Sequence, residues 1–192
     1  MVRTMTIAET AARNTEYVPV TFAICDHVDG PDGSYYFRVM PRTDRSSRVI
    51  TAPVARVFEA LVDRDALATW LPPSGMRASF ERFDPRPGGS YRLVLTYTDP
   101  TGSPGKSSAD ADIVEAHYVD IVPNDRVVQT VDFVSHDAAF AGTMTMTWTV
   151  AAVDGGTRVE ITADGVPDGI SAEDHAAGLA SSLENLAAYA QS

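Results

Sequence analysis

His117 stands two positions after Glu115 in a β-prone stretch, and that spacing puts imidazole and carboxylate on one face of a strand. A neutral imidazole beside a carboxylate suits general acid–base work near neutral pH. Ile113, Val119 and Ile121 share the same alternation, so the pattern turns His117 toward the apolar side of its sheet. The remaining polar candidates carry less. Asp110 and Asp112 share a face, but no histidine or third acid joins them at ligand spacing, so no metal is expected. Ser181 and Ser182 lie in a helical stretch, no G-x-S-x-G turn occurs, and Cys25 is the lone cysteine. Gly88-Gly89 follows Pro87 and precedes a strand, which reads as a hairpin turn rather than a phosphate loop. Arg86 has Asp84 or Glu81 as its plain surface partners. His175 falls in the first turn of the last helix, and His27 and His136 fall in loops or at strand ends.

Apolar residues offer a different chemistry, that of binding. Thr143, Thr145, Thr147 and Thr149 alternate with Met144, Met146, Trp148 and Val150, giving a strand with one polar and one bulky apolar face. Tyr91, Leu93, Leu95 and Tyr97 share a face in the same way, as do Val127, Val131 and Phe133. Ordinary core packing is the plainer account of any one of them. Together their tyrosines, tryptophan and methionines point to a lined cavity for a small apolar molecule. Trp70, Phe80, Leu179 and Leu183 complete the expected wall, with tyrosine hydroxyls and His117 as polar contacts.

The elements that must position these residues follow from punctuation and period. At 192 residues the chain fits one domain with an appendage. A net charge of -11 repels phosphate backbones and anionic lipid, so neither nucleic acid nor membrane surface is an expected partner. No apolar run is long enough to span a bilayer and no signal peptide opens the chain. One cysteine allows no intrachain disulfide, and a reduced cytoplasm is the default compartment. Residues 1–46 read as an N-terminal extension, either a β-hairpin around the turn-rich 29–34 or a poorly ordered lead before Met40. Residues 47–192 read as the main domain.

In that domain a short strand near 48–50 leads to Thr51-Ala52-Pro53, where Thr51 is placed to cap a helix carrying Val54, Val57, Phe58 and Leu61. Asp63 caps a second helix through Trp70, which Pro72-Pro73 ends. Six strands follow, near 77–83, 90–98, 108–122, 126–134, 142–152 and 157–163, divided by turn residues. Ser171 then caps a long helix with an apolar stripe of Leu179, Leu183, Leu186 and Ala190.

This order resembles the family of homologues of the activator of the 90-kDa heat-shock chaperone's ATPase, within the START-like superfamily. The resemblance rests on Trp70-Leu71-Pro72-Pro73, on Asp84-Pro85-Arg86-Pro87-Gly88-Gly89, and on the stretch from Tyr118 to Thr130. Gly155-Gly156-Thr157-Arg158-Val159 and His175-Ala176-Ala177-Gly178 add to it. It covers about residues 49–189. The family often has tryptophan where this chain has Leu179. The resemblance implies an α+β helix-grip fold: a curved antiparallel sheet of about seven strands around a long C-terminal helix, with two short helices after the first strand. It implies a cavity between sheet and helix, and it fixes no reaction.

Three functions are therefore carried forward. The first is binding of a small hydrophobic molecule, without metal or cofactor. The second is a cyclase- or hydrolase-like enzyme using His117 as acid and base. The third is a co-chaperone whose acidic surface meets a chaperone. Sheet edges make a homodimer conceivable.

Overall fold

The computed structural model describes residues 15–20, 26–29, 35–38, 42–73, 75–98, 111–133, 139 and 142–192. Within them, β4 (Thr43–Ile50) leads into α1 (Val54–Val62) and α2 (Arg64–Trp70). The strands β5 (Met76–Phe83), β6 (Ser90–Tyr97), β7 (Ala111–Val122), β8 (Arg126–Phe133), β9 (Thr143–Val153) and β10 (Gly156–Asp164) follow, and α3 (Ala172–Ala190) ends the chain. Upstream lie β1 (Thr15–Val20) and a separate antiparallel pair, β2 (Asp26–Asp29) with β3 (Tyr35–Arg38).

Local chemistry sets the boundaries. Asp63 accepts from the amides of Asp65 and Ala66 through Oδ1, at 3.0 and 2.8 Å, and so starts α2. Ser171 Oγ accepts from the Asp174 amide at 3.0 Å and starts α3. At α1 the expected cap is corrected: Pro53 occupies the N-cap, with no side-chain bond, and Thr51 is not the cap. Gly88 holds φ 79°, and a Cβ on Gly89 would sit 2.2 Å from the Asp84 carbonyl oxygen, so this turn needs both glycines. It docks on β7, where the Gly88 amide donates to the Tyr118 carbonyl at 2.8 Å and the Tyr118 amide donates to Gly89 at 2.9 Å.

The seven strands β4–β10 form one antiparallel sheet, and β1 extends it beyond β4 to give the order β1-β4-β10-β9-β8-β7-β6-β5. Register brings inward residues into rows across neighbouring strands. Tyr91 faces Ala116, which faces Val131, which faces Met144; one row on, Tyr118 faces Gln129, which faces Met146. Leu179, Leu183, Leu186 and Ala187 of α3 pack on this face with Val159 and Ile161, closing the core. A curved antiparallel sheet gripping a long C-terminal helix is the helix-grip arrangement.

Candidate functional site

Inside the grip, aromatic rings meet edge to face. Trp70, from the end of α2, stands edge-on to Trp148 of β9, with centroids 5.5 Å apart, and donates Nε1–H to the Ala60 carbonyl at 2.8 Å. Tyr91 contacts Phe80 at 5.5 Å and Tyr118 at 5.6 Å between centroids. Burial pushes the Tyr91 phenol up to about 12, a rise partly offset by its hydrogen bond with the Gln129 side chain. Tyr118, only 2% exposed, is also pushed up, chiefly by burial and then by the nearby Tyr91. Among the described residues its hydroxyl has no hydrogen-bond partner, and neither has the buried Ser46 Oγ.

The space enclosed by Leu61, Leu67, Trp70, Leu71, Tyr91, Val127, Gln129 and Trp148 is about 10 Å³. That is room for about one water molecule. Three of the expected wall residues, Trp70, Tyr91 and Trp148, border this small space.

A larger space is also lined in part by Trp70, itself only 2% exposed. It is a groove of about 740 Å³, floored by Ala68, Thr69 and Trp70 and bounded by Pro72 and Pro73. Met76, Arg77 and Ala78 of β5 form one wall, and Asn185, Ala188 and Tyr189 of α3 the other. Asn185 donates to the Pro72 carbonyl at 3.2 Å, tying α3 to the chain that leaves α2. The groove thus lies between the sheet edge and the C-terminal helix, and Trp70 borders both spaces.

Of the predicted wall residues, Trp70, Phe80, Tyr91, Leu93, Met144, Trp148, Leu179 and Leu183 are buried on the inner face, and Leu95 and Met146 are half-buried against them. Tyr97 is half-buried at the end of β6. Phe133 pairs with Val114, and its side chain lies outside the described residues. His117 is a correction. It is exposed on the outer face, opposite Ser90 and Thr130, and the register of β7 slips between Tyr118 and Asp120. That bulge leaves Val119 at 55% exposure while Ile121 packs on the core, so the apolar pattern around His117 came from two different faces. Glu115 pairs with Arg82 and Arg92 on that outer face rather than serving His117. Arg86 pairs with Asp84 at 3.0 Å, as its position suggested. Cys25, Asp110 and the side chain of Asp112 lie outside the described residues.

Sequence reasoning missed a buried polar cluster. Asp44 Oδ2 receives Arg42 Nη2 at 2.8 Å and lies 2.7 Å from His175 Nδ1, while Arg42 Nη1 donates to the Ile170 carbonyl at 2.6 Å. These bonds fasten the start of α3 to β4 and give His175 a structural part. The signal was a strand longer than its apolar end, since β4 begins at Thr43 rather than near Arg48. The groove residues of β5 and α3 were missed too, although Met76 and Ala78 alternate with Arg77 and Ser79 on the same face as Phe80.

A helix-grip protein with a groove at the mouth of the grip is the class these features define. The chain belongs to the family described as Activator of Hsp90 ATPase homolog 1-like protein, whose model matches residues 51–191. A solved protein from Chromobacterium violaceum is 33% identical, with a TM-score of 0.68, covering 78% of this chain and 97% of that one. A Rhodobacter sphaeroides protein at 21% identity and a TM-score of 0.63 covers 76% of this chain and 90% of its own. One from Rhizobium leguminosarum, 25% identical with a TM-score of 0.57, covers 78% and 93%. No protein of curated function matches the sequence. Among the described residues, no helix is long and apolar enough to cross a membrane.

Proposed function

We propose that the protein binds a small, largely apolar molecule in the groove between β5 and the C-terminal half of α3, with Trp70 as its floor. One observation carries the reading: a concavity of about 740 Å³ whose walls combine Trp70, Met76, Pro72, Pro73 and Ala188 with the polar Thr69, Arg77, Asn185, Tyr189 and Ser192. Small-molecule sites have this size, roughly 300–1,000 Å³, and pair apolar walls with polar groups that fix orientation. The binding unit is the helix-grip domain, which β4 opens at Thr43, with the residues before it as an extension, and the inner wall of Tyr91, Trp148 and Met144 serves as a rigid backing. The acid–base reading that rested on an inward His117 loses its basis, because that ring stands on the outer face.

Native mass spectrometry on gently purified protein, before and after organic-solvent extraction, tests the proposal. The expected result is an excess mass that extraction removes and that the Trp70→Ala variant fails to retain. An apo mass throughout, together with no uptake of an added neutral apolar probe, contradicts it.

A further inference from the structure

Resting on the groove reading above, we infer that the ligand carries one aminoacyl unit, held by the backbone N–H and C=O of Ala78. Among the described strands, β5 pairs with β6 alone, so its other edge is open. In an antiparallel pair, alternate residues turn both backbone groups to the neighbour, and the residues between turn both away. Three hydrogen bonds fix which residues of β5 turn away. The Thr98 amide donates to the Gly75 carbonyl at 2.8 Å, so the register makes Gly75, Arg77 and Ser79 the residues that face β6. The Met76 amide instead donates to the Pro73 carbonyl at 3.0 Å, and the Phe80 carbonyl accepts from Arg64 Nη2 at 3.2 Å. Met76, Ala78 and Phe80 therefore point their backbone groups out of the sheet edge.

Both ends of this edge are already held. Pro73 takes the Met76 amide and Arg64 the Phe80 carbonyl, and the Ala78 N–H and C=O between them have no partner among the described residues. The groove reaches that edge. Its lining takes in Met76, Arg77 and Ala78 in succession, whereas a space over one face of a strand meets mainly every second residue. Pro73, whose carbonyl takes the outward Met76 amide, is a groove wall as well.

The side-chain polar groups define a ligand less closely. Thr69 Oγ1 donates to the Asp65 carbonyl and Ser192 Oγ to the Tyr189 carbonyl, each at 2.7 Å, while Asn185 donates to Pro72. The Tyr189 hydroxyl both gives and takes bonds, and Arg77 is exposed, so neither separates one uncharged ligand from another. A donor and an acceptor on one edge residue are more exacting. They match the N–H and C=O of a single amino-acid residue in extended form, as when a peptide adds to a sheet edge. With both neighbours held, the edge takes one such unit and no longer strand. The fitting molecule is an N-acylated amino acid amide whose apolar body lies along Met76, Pro72 and Ala188.

The test is calorimetric titration with N-decanoylglycine methylamide, with the ester in which oxygen replaces its decanoyl-linked N–H, and with decanol. The amide should bind about fivefold or more tightly than the ester, which cannot donate to the Ala78 carbonyl. Bound amide should slow hydrogen exchange at Ala78 more than at Ser79, whose amide faces β6. Ala78→Pro removes the outward donor at a position where an edge strand tolerates proline. It should weaken the amide about fivefold or more and leave decanol within about twofold. Should that variant not fold, the wild-type pair and the exchange at Ala78 decide. A capped tripeptide, acetyl-Ala-Leu-Ala-amide, should bind no more tightly than the decanoyl amide; tighter binding overturns the limit to one unit and assigns the edge to a peptide segment. Equal affinity for amide and ester, unaltered exchange at Ala78, or an amide affinity that survives Ala78→Pro overturns the aminoacyl assignment, with decanol binding leaving the groove standing. Binding of none of the probes overturns the groove itself and this inference with it.

Discussion

Trp70 and Trp148 meet edge to face at 5.5 Å, yet only Trp70 also forms part of the outer groove. The two tryptophans therefore do different work, although the sequence offers them as equivalent wall residues. Trp148→Ala should cost about 3–5 kcal/mol of stability by opening a hole in the core. Groove binding, measured where that variant is still folded, should change less than about threefold.

Trp70→Ala should lose comparable stability and groove binding together. Trp70→Phe keeps a ring on the floor but gives up the bond to the Ala60 carbonyl. It should cost about 1–2 kcal/mol and weaken binding only partly. Chemical denaturation and titration of the three variants and wild type separate the two roles. Equal binding losses for Trp70→Ala and Trp148→Ala would place the ligand in the interior instead.

The link between Asp44 and His175 makes a second expectation. Asp44→Ala strands Arg42 and His175 without their carboxylate, and breaking a buried pair from one side costs about 3–5 kcal/mol. Amide exchange in the first turns of α3 should rise by more than the global loss accounts for, because these bonds fasten that end of the helix. Unchanged exchange there would reduce the cluster to a local surface pair.

Alkaline stability follows from the two buried tyrosines. Tyr91 titrates at about 12 in the folded chain and near 10 when unfolded, so the unfolded state releases its proton first. Its contribution is complete below pH about 10 and is lost as pH rises through about 12. Tyr118 shifts the same way and steepens the decline. Tyr91→Phe and Tyr118→Phe should each flatten the loss of melting temperature above pH about 10. At neutral pH Tyr118→Phe should be neutral or stabilising, because it removes a buried hydroxyl that has no partner among the described residues.

His117→Ala should leave stability within about 0.5 kcal/mol and groove binding unchanged, since the ring is exposed on the outer face. A loss of binding in that variant would return His117 to the site.

How far the residues foretold this depends on what each pattern encodes. Strand alternation in Met144 to Val150 and helix period in Leu179 to Leu186 report burial directly, so sheet, grip and core were legible. The bulge at Val119 was not, because a slip of register depends on the partner strand and leaves no mark in one strand's own sequence. The Asp44–His175 contact joins residues 131 positions apart, and nothing local to either signals the other. The groove is likewise a product of three elements meeting. Met76, Arg77, Tyr189 and Pro72 are unremarkable until α2, β5 and α3 bring them together.

The central claim is that the ligand sits between β5 and α3 on Trp70. Amide and indole chemical-shift mapping during titration with decanoate tests it most directly. The account predicts shifts clustered at Trp70, Met76, Arg77, Ala188 and Tyr189, with Glu115 and His117 unmoved. Shifts confined to the outer face, or an unperturbed Trp70 indole at saturation, would contradict it.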